Sequence, residues 1–418
     1  MAHMNILLIN HYAGSVRHGM EYRPYYLARE WVRAGHRVTI VAASASHVRT
    51  QAPQMGGRAR MDEVIDGIDY IWLAAPSYRG NGAARVRNMA AFLWRLAAAG
   101  EQLARTVRPD AVIASSTYPL DIWPAARIAR HAGARLLHEV HDLWPLTPME
   151  LGGCSRRHPF IMLLQAAEDF ACRRADGIVS ILPKVRPHLE AQGMAPHKLH
   201  VVPNGVDPAE WEGNKAPLPA GLDAMLDGLR RQGRFVVGYA GTHGVANALD
   251  TLLDAARRLR GHPVAIVLVG TGPEKPGLMR RAAELGLDNV HFIDPVAKSQ
   301  VPALLAHFDA AYIGWQRQPL YRFGISPNKL LDYMMAGCPI VHAVDAGNDP
   351  VREADCGLTV PPNDPQAIAD AVLALHALDA SARAALGRRG RAHVLANHAY
   401  PVLGERFLAA LAGDHCHA

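Results

Sequence analysis

Short apolar runs recur along the whole of this 418-residue chain, each followed by a stretch with helical periodicity. The first half has them at residues 5–10, 37–43, 68–74, 110–115, 134–142, 176–182 and 199–207. The second half restarts with RFVVGYAG (Arg234–Gly241) and continues at 264–272, 289–296, 309–315, 339–345 and 357–364. Unbroken runs of branched residues suit strands buried on both faces. Their alternation with helices specifies parallel sheets with crossover connections. A chain this long exceeds one core, and a Pro/Gly-bearing connector, Asn214–Met225, lies between the halves. The expected fold class is α/β, two doubly wound domains facing each other across a cleft. In such sheets ligands sit in the loops at the carboxyl ends of the strands.

Composition excludes several classes. Half the residues are hydrophobic and one fifth are charged, as in ordinary globular domains. The five cysteines include no CxxC pair, which fits a reducing compartment and neither a disulfide framework nor a zinc site. The tail residues His415, Cys416 and His417 read as a frayed terminus, so no metal is expected. No apolar run reaches the ~18 residues of a membrane span and no secretory signal is evident, so the expected location is cytoplasmic. Residues 1–200 carry 24 Lys and Arg against 16 Asp and Glu. That excess favours an anionic surface or substrate. The arginines are dispersed and no nucleic-acid module appears, so nucleic acid is not expected as a partner.

The stretch FGISPNKLLDYMMAGCPIV (Phe323–Val341) carries the clearest chemistry. Ser326 reads as an N-cap, Pro327 as the first helical residue and Gly337 as the stop. Asn328, Lys329 and Asp332 share one face beside the helix N-terminus. A helix N-terminus bearing Lys seats a phosphate. A carboxylate one turn further in would repel that phosphate, unless it holds something attached to it, such as a ribose diol.

Other loops are weaker. YAGTHG (Tyr239–Gly244) exposes backbone N–H groups at a strand end, while LVGTGP (Leu268–Pro273) reads as a tight turn. HEVHDLWPLT (His138–Thr147) gathers polar residues at a strand exit, without a defensible metal-ligand set. The helix Ala84–Leu103 has a core stripe of Val86, Met89, Leu93, Leu96 and Leu103. Phe92 and Trp94 fall outside it among Arg85, Arg87 and Arg95, which suits peripheral contact with an anionic membrane.

Taken in order, these segments resemble the retaining nucleotide-sugar glycosyltransferases of the GT-B type, the group of glycogen synthase, sucrose synthase and bacterial polysaccharide transferases. GMEYRPYYLAREWVRAGHRVTIVAA matches that family's N-terminal glycine loop and first helix. VHDLWP looks like its histidine loop, VVPNGVD like its inter-domain turn, and LLDYMMAGCPIV like its LLEAMAxGxPVV signature. HAYPVLGERFLAALAG resembles the final helix that crosses back to the first domain. SPNKLLDYM, RPYYLAREW and HDLWP together are similar to the N-acetyl-L-fucosamine transferases of O-antigen assembly. The resemblance implies Rossmann-like domains at residues 1–205 and 206–395, with 396–418 as the crossing helix.

It also implies roles. Asp332 binds the ribose hydroxyls, and Lys329 with the helix dipole holds the diphosphate leaving group. Gly324, Ile325 and Ser326 lend amides to the donor sugar. Gly14 belongs to the N-terminal glycine loop, Gly241 to the first turn of the second domain, and Val296 to the base site within Phe292–Ser299. Two family positions differ. The usual Arg and Lys fall on Thr242 and Asn247, leaving Arg322 as a second cation, and the first of two usual glutamates falls on Gly324. His141 contacts the sugar or reacting centre, and Glu21 is an acceptor contact or base. The expected activity is transfer of an amino or deoxy-amino sugar from a UDP-sugar, in preference to a GDP-sugar, to a glycan or lipid-linked acceptor in surface polysaccharide synthesis. No cofactor or metal is needed. A nucleotide-sugar 2-epimerase and a non-catalytic nucleotide-sugar-binding partner are the alternatives.

Overall fold

The computed structural model describes residues 3–80, 82–213 and 216–413; the terminal His415, Cys416 and His417 lie outside them. The chain divides into two compact units, Met1–Asn204 with Tyr400–Ala418, and Gly205–Ala399. Of the connector read at Asn214–Met225, residues 214 and 215 are outside the described set. Ala220–Arg231 is a helix of the second unit.

The first unit holds an eight-stranded sheet of β1 (Asn5–Ile9), β2 (Arg37–Ala43), β3 (Arg60–Ile65), β4 (Ile68–Leu73), β5 (Ala111–Ala114), β6 (Arg135–Val140), β7 (Gly177–Ser180) and β8 (Leu199–Val201). Their order is β3-β4-β2-β1-β5-β6-β7-β8. All neighbouring pairs run parallel except β3 with β4. In β1, Ile6 and Leu8 face one core while Leu7 and Ile9 face the other, as period-two alternation in a doubly covered sheet requires. The second unit holds β9 (Phe235–Ala240), β10 (Val264–Val269), β11 (Val290–Ile293), β12 (Ala310–Gly314), β13 (Ile340–Ala343) and β14 (Gly357–Thr359), in the all-parallel order β11-β10-β9-β12-β13-β14. Each sheet reverses direction beside its first strand, between β1 and β5 and between β9 and β12, where doubly wound folds place ligands.

Strand β3 was not expected from the sequence. It is an edge strand of mixed polarity (RMDEVI) that folds back on β4 through Asp66–Gly67. Both turn residues have positive φ, 51° and 80°. The Asp-Gly pair was the available signal for a tight hairpin.

Two local expectations need correction. The helix in the SPNK stretch spans Asn328–Ala336, with Pro327 rather than Ser326 at its N-cap and no side-chain cap. A residue before proline is driven out of the helical region, and Pro327 is itself extended, at φ −80° and ψ 128°. Phe92 is fully buried, whereas Val86 is exposed. In the helix Ala83–Val107 Phe92 lies three and four residues from Met89 and Leu96, so all three share the core face. Of the aromatic pair read as a membrane contact, only Trp94 is on the surface. No helix among the described residues is long and apolar enough to cross a membrane.

The helix Tyr400–Ala412 completes the first unit. Phe407 meets Trp31 edge to face at 5.0 Å, Tyr400 stacks on Tyr26 at 4.7 Å, and Trp31 Nε1 donates to the Gly404 carbonyl. Phe407→Ala should therefore cost ~3–5 kcal/mol, as for other buried aromatics cut to alanine. Urea denaturation of the purified variant measures this; a loss under ~1 kcal/mol would show that the returning helix contributes little.

Candidate functional site

Three strands of the second unit end at one pocket of about 280 Å³. Ala240, Gly241 and Thr242 follow β9, Val269, Gly270 and Thr271 leave β10, and Pro295 and Val296 follow β11. Lys329, Asp332 and Tyr333 come from the helix Asn328–Ala336. That helix is anchored by Leu330, Leu331, Met334 and Met335 in the core. It is pinned to the strand end by Tyr333, whose hydroxyl accepts the Ala240 N–H at 2.9 Å. Its stop is Gly337, at φ 72°.

The first two loops are packed as tightly as backbone allows. A Cβ on Gly270 would lie 1.9 Å from the Gly241 carbonyl oxygen, so no other residue fits there. The LVGTGP turn is thus more than a connection, because Thr271 lines the pocket. Among the described residues the backbone N–H groups of Thr242 and Thr271 make no hydrogen bond. Two adjacent unpaired amides beside a helix N-terminus suit an anion.

Lys329 is the cation of this pocket. Its Nζ donates to Tyr239 Oη at 2.8 Å and to Asn247 Oδ1 at 2.7 Å, and lies 4.5 Å from the Tyr239 ring centroid. Tyr239 Oη and Asn247 Nδ2 both donate to the Thr242 carbonyl, which closes the cluster. An ammonium has three N–H donors, so one is left for a ligand. Burial lowers the Lys329 pKa to about 8. Asn247, at a position where the resemblance leads one to expect a second cation, instead orients this one.

Asp332 faces the same pocket; among the described residues it makes no hydrogen bond or ion pair, and it does not pair with Lys329. Burial pushes its carboxyl up to about 7; Lys298 acts against that shift and Glu210 adds to it. A half-buried carboxylate facing the pocket with its acceptors unused suits a ligand that brings hydroxyl donors.

Other expected donor contacts are placed differently. Gly324, at φ 93°, donates its N–H to the Tyr321 carbonyl, and Ile325 N–H is taken by Asn348 Oδ1 at 2.7 Å. Those two amides are therefore spent inside the loop and are not free for a sugar; Ser326 follows them in the turn before the helix. Arg322 is exposed, bonds the Pro319 carbonyl at 2.6 Å and lies over the Phe323 ring, and is not among the residues lining the pocket. Val296 does line it, and its backbone groups make no hydrogen bond among the described residues.

In the first unit, Gly14 donates its N–H to the Glu21 carbonyl and accepts from Tyr70 Oη. Its amide is occupied, and a Cβ there would strike the Gly19 carbonyl at 1.8 Å. Glu21 is half-buried, and among the described residues its carboxylate makes no hydrogen bond or ion pair. His141 follows β6, with Nε2 3.0 Å from Ser115 Oγ and 3.3 Å from Glu139 Oε2. Asp142 accepts from Leu143 N–H, Trp144 Nε1 and Thr147 Oγ1 and so holds the next turn together. The sequence reading missed Tyr239, Thr271, Arg23 and Ser115. Each reads as an ordinary strand-end or helix residue until the fold shows its partner.

Residues 18–205 match the family described as Glycosyl transferase 4-like domain, and residues 234–377 match Glycosyl transferases group 1. Between them they cover most of the chain. It belongs to the GT-B glycosyltransferases. The chain is 25% identical over 250 residues to the putative colanic acid biosynthesis glycosyl transferase WcaI of Escherichia coli K12, covering 58% of this chain and 59% of that protein. It is 34% identical over 136 residues to the D-rhamnosyltransferase WbpZ of Pseudomonas aeruginosa, covering 32% and 34%. The match therefore spans less than two thirds of either relative. Among solved structures it is similar to Anabaena HepE in complex with UDP and glucose, with TM-score 0.67, 16% identity, and coverage of 98% and 100%. At that identity the likeness shows the GT-B fold.

The unpaired Asp332 yields a stability prediction. Its folded pKa lies above the unfolded value, so the native state favours the protonated form and loses stability as pH rises from about 4 towards about 7. The advantage of Asp332→Asn over the native chain should then grow by on the order of 1–3 kcal/mol between about pH 5 and pH 8. Thermal denaturation at the two pH values tests this; a difference that does not change with pH would mean that Asp332 is already well solvated.

Proposed function

We propose that this GT-B chain transfers a sugar from a nucleoside diphosphate donor, with retention of configuration, during surface polysaccharide synthesis. The observation that carries the reading is the pocket of the second unit. There one N–H of Lys329 and the amides of Thr242 and Thr271 stand free for a diphosphate, and the unpaired Asp332 stands free for a ribose diol. Bond cleavage leaves extra negative charge on the departing diphosphate, and preorganised donors lower the barrier where that charge develops. Lys329 supplies the largest share. Sugar-side chemistry falls to the first unit, where His141 contacts the sugar and Glu21 meets the acceptor. The acceptor is a glycan or a lipid-linked acceptor, in line with the colanic acid biosynthesis that the WcaI name carries. The reaction as drawn uses no protein nucleophile and no metal.

The donor base is uracil. Val296 offers a free backbone N–H and C=O, matching the adjacent acceptor and donor of that base, and HepE carries UDP in its structure. The sugar is an amino or deoxy-amino sugar, on the strength of the SPNKLLDYM, RPYYLAREW and HDLWP segments. Calorimetric titration should find UDP tighter than GDP, and the reverse order would overturn the uridine assignment. With a UDP-sugar and acceptor, nucleotide release should accompany glycoside formation. A sugar altered at carbon 2 without acceptor would identify an epimerase, and donor binding with no nucleotide release would identify a binding partner.

The two charged residues should fail differently. Asp332→Ala should weaken donor binding roughly ten- to a hundredfold, because the ribose is held equally in ground and transition states. Lys329→Ala should lower kcat by about a hundred- to a thousandfold and raise KM less, since its charge meets charge that grows during the reaction. Steady-state kinetics on both variants separates the effects; a near-normal kcat in Lys329→Ala would move the leaving-group role to another cation.

A further inference from the structure

The ring nitrogens of His141 are not equivalent, and hydrogen-bond accounting around Ser115 shows why. Asn10 Oδ1 accepts the Tyr12 N–H at 2.9 Å, so its Nδ2 is the atom that lies 3.2 Å from Ser115 Oγ. Ser115 has one hydroxyl hydrogen, which it donates to Glu139 Oε2 at 2.6 Å. Its two lone pairs then accept from Asn10 Nδ2 and, at 3.0 Å, from His141 Nε2. Nε2 must therefore carry a hydrogen. Glu139 Oε2, 3.3 Å from the same nitrogen, demands the same thing, because an ionised carboxylate only accepts.

Glu139 is held ionised. Burial alone would push its carboxyl up, but the charge that His141 carries when its ring is protonated, the Arg23 guanidinium and the bonds to it outweigh that and place it well below the usual range. Arg23 Nε donates to Glu139 Oε1 at 2.9 Å, with both side chains almost wholly buried. The remaining Arg23 nitrogens donate to the Val202 and Pro203 carbonyls at 2.7 and 2.5 Å. The His141 side chain stays 12% exposed, and among the described residues no hydrogen bond or ion pair involves Nδ1.

We infer that Ser115 and Glu139, backed by Arg23, are positioning residues that fix His141 as its Nε2–H tautomer and present Nδ1 to the substrate. This rests on the reading of His141 as a sugar contact. In the neutral ring Nδ1 can only accept, so the substrate group that it meets in that state is a hydrogen-bond donor, a sugar hydroxyl or amide N–H.

Nitrogen-15 NMR of imidazole-labelled protein at about pH 8, with His141→Gln assigning the signals, reads the tautomer directly. The native chain should show Nε2–H. Because Glu139→Gln leaves the buried Arg23 charge unpaired, Ser115→Ala is the primary variant. It should mix the tautomers and lower kcat about tenfold, the loss of one orienting hydrogen bond, with donor KM changed less than about twofold. A predominant Nδ1–H form, or a Ser115→Ala variant with unchanged tautomer and turnover, would overturn the inference. Normal turnover in His141→Ala beside an Nε2–H ring would overturn the sugar-contact reading while supporting the tautomer assignment.

Discussion

A charged ammonium is expensive to keep out of water, and the second unit is arranged around one. Tyr239 near the end of β9 and Asn247 in the turn beyond it hold Lys329, and both donate to the Thr242 carbonyl. Three pieces of chain are thereby fixed to one another: the strand end, the turn that follows it and the helix that carries Asp332. Tyr333 makes a second tie between helix and strand. The pocket needs little rearrangement to receive an anion, because its cation is already oriented with one donor to spare.

The placement of that pocket was legible in the sequence for a simple reason. Parallel sheets buried on both faces require continuous apolar strands, and such strands announce their own ends. Lys329 and Asp332 could be found because a helix N-terminus and a three-residue spacing are local properties. What escaped was whatever depended on a partner far along the chain. Asn247 looked like a vacancy in a charge pattern, yet it accepts from a lysine 82 residues away. Gly324 and Ile325 looked like free amides, but Tyr321 and Asn348 had claimed them. Phe92 was misjudged because a long helix offers several plausible stripes, and only packing selects one.

The first unit solves a related problem with opposite charge. Glu139 is a buried carboxylate at the end of a central strand, satisfied by Arg23 on one oxygen and Ser115 on the other. Removing one partner of such a pair leaves an uncompensated charge, which costs ~3–5 kcal/mol. The arrangement therefore binds the start of the first helix, the ends of β5 and β6, and the chain at Val202 and Pro203 into one rigid piece. Rigidity of that kind is what a ring nitrogen needs if it is to meet a hydroxyl at a fixed angle.

The return of Tyr400–Ala412 to the first unit also sets an order of events on the ribosome. Tyr26 and Trp31 belong to a helix made before the second unit, yet the residues that cover them emerge only after it. All of Gly205–Ala399 is translated in between. The second unit can thus finish folding while the first still shows an aromatic face to the cell. A nascent chain stalled before residue 400 would carry an intact Lys329–Asp332 pocket and an incompletely covered core, a species prone to capture by chaperones and to aggregation.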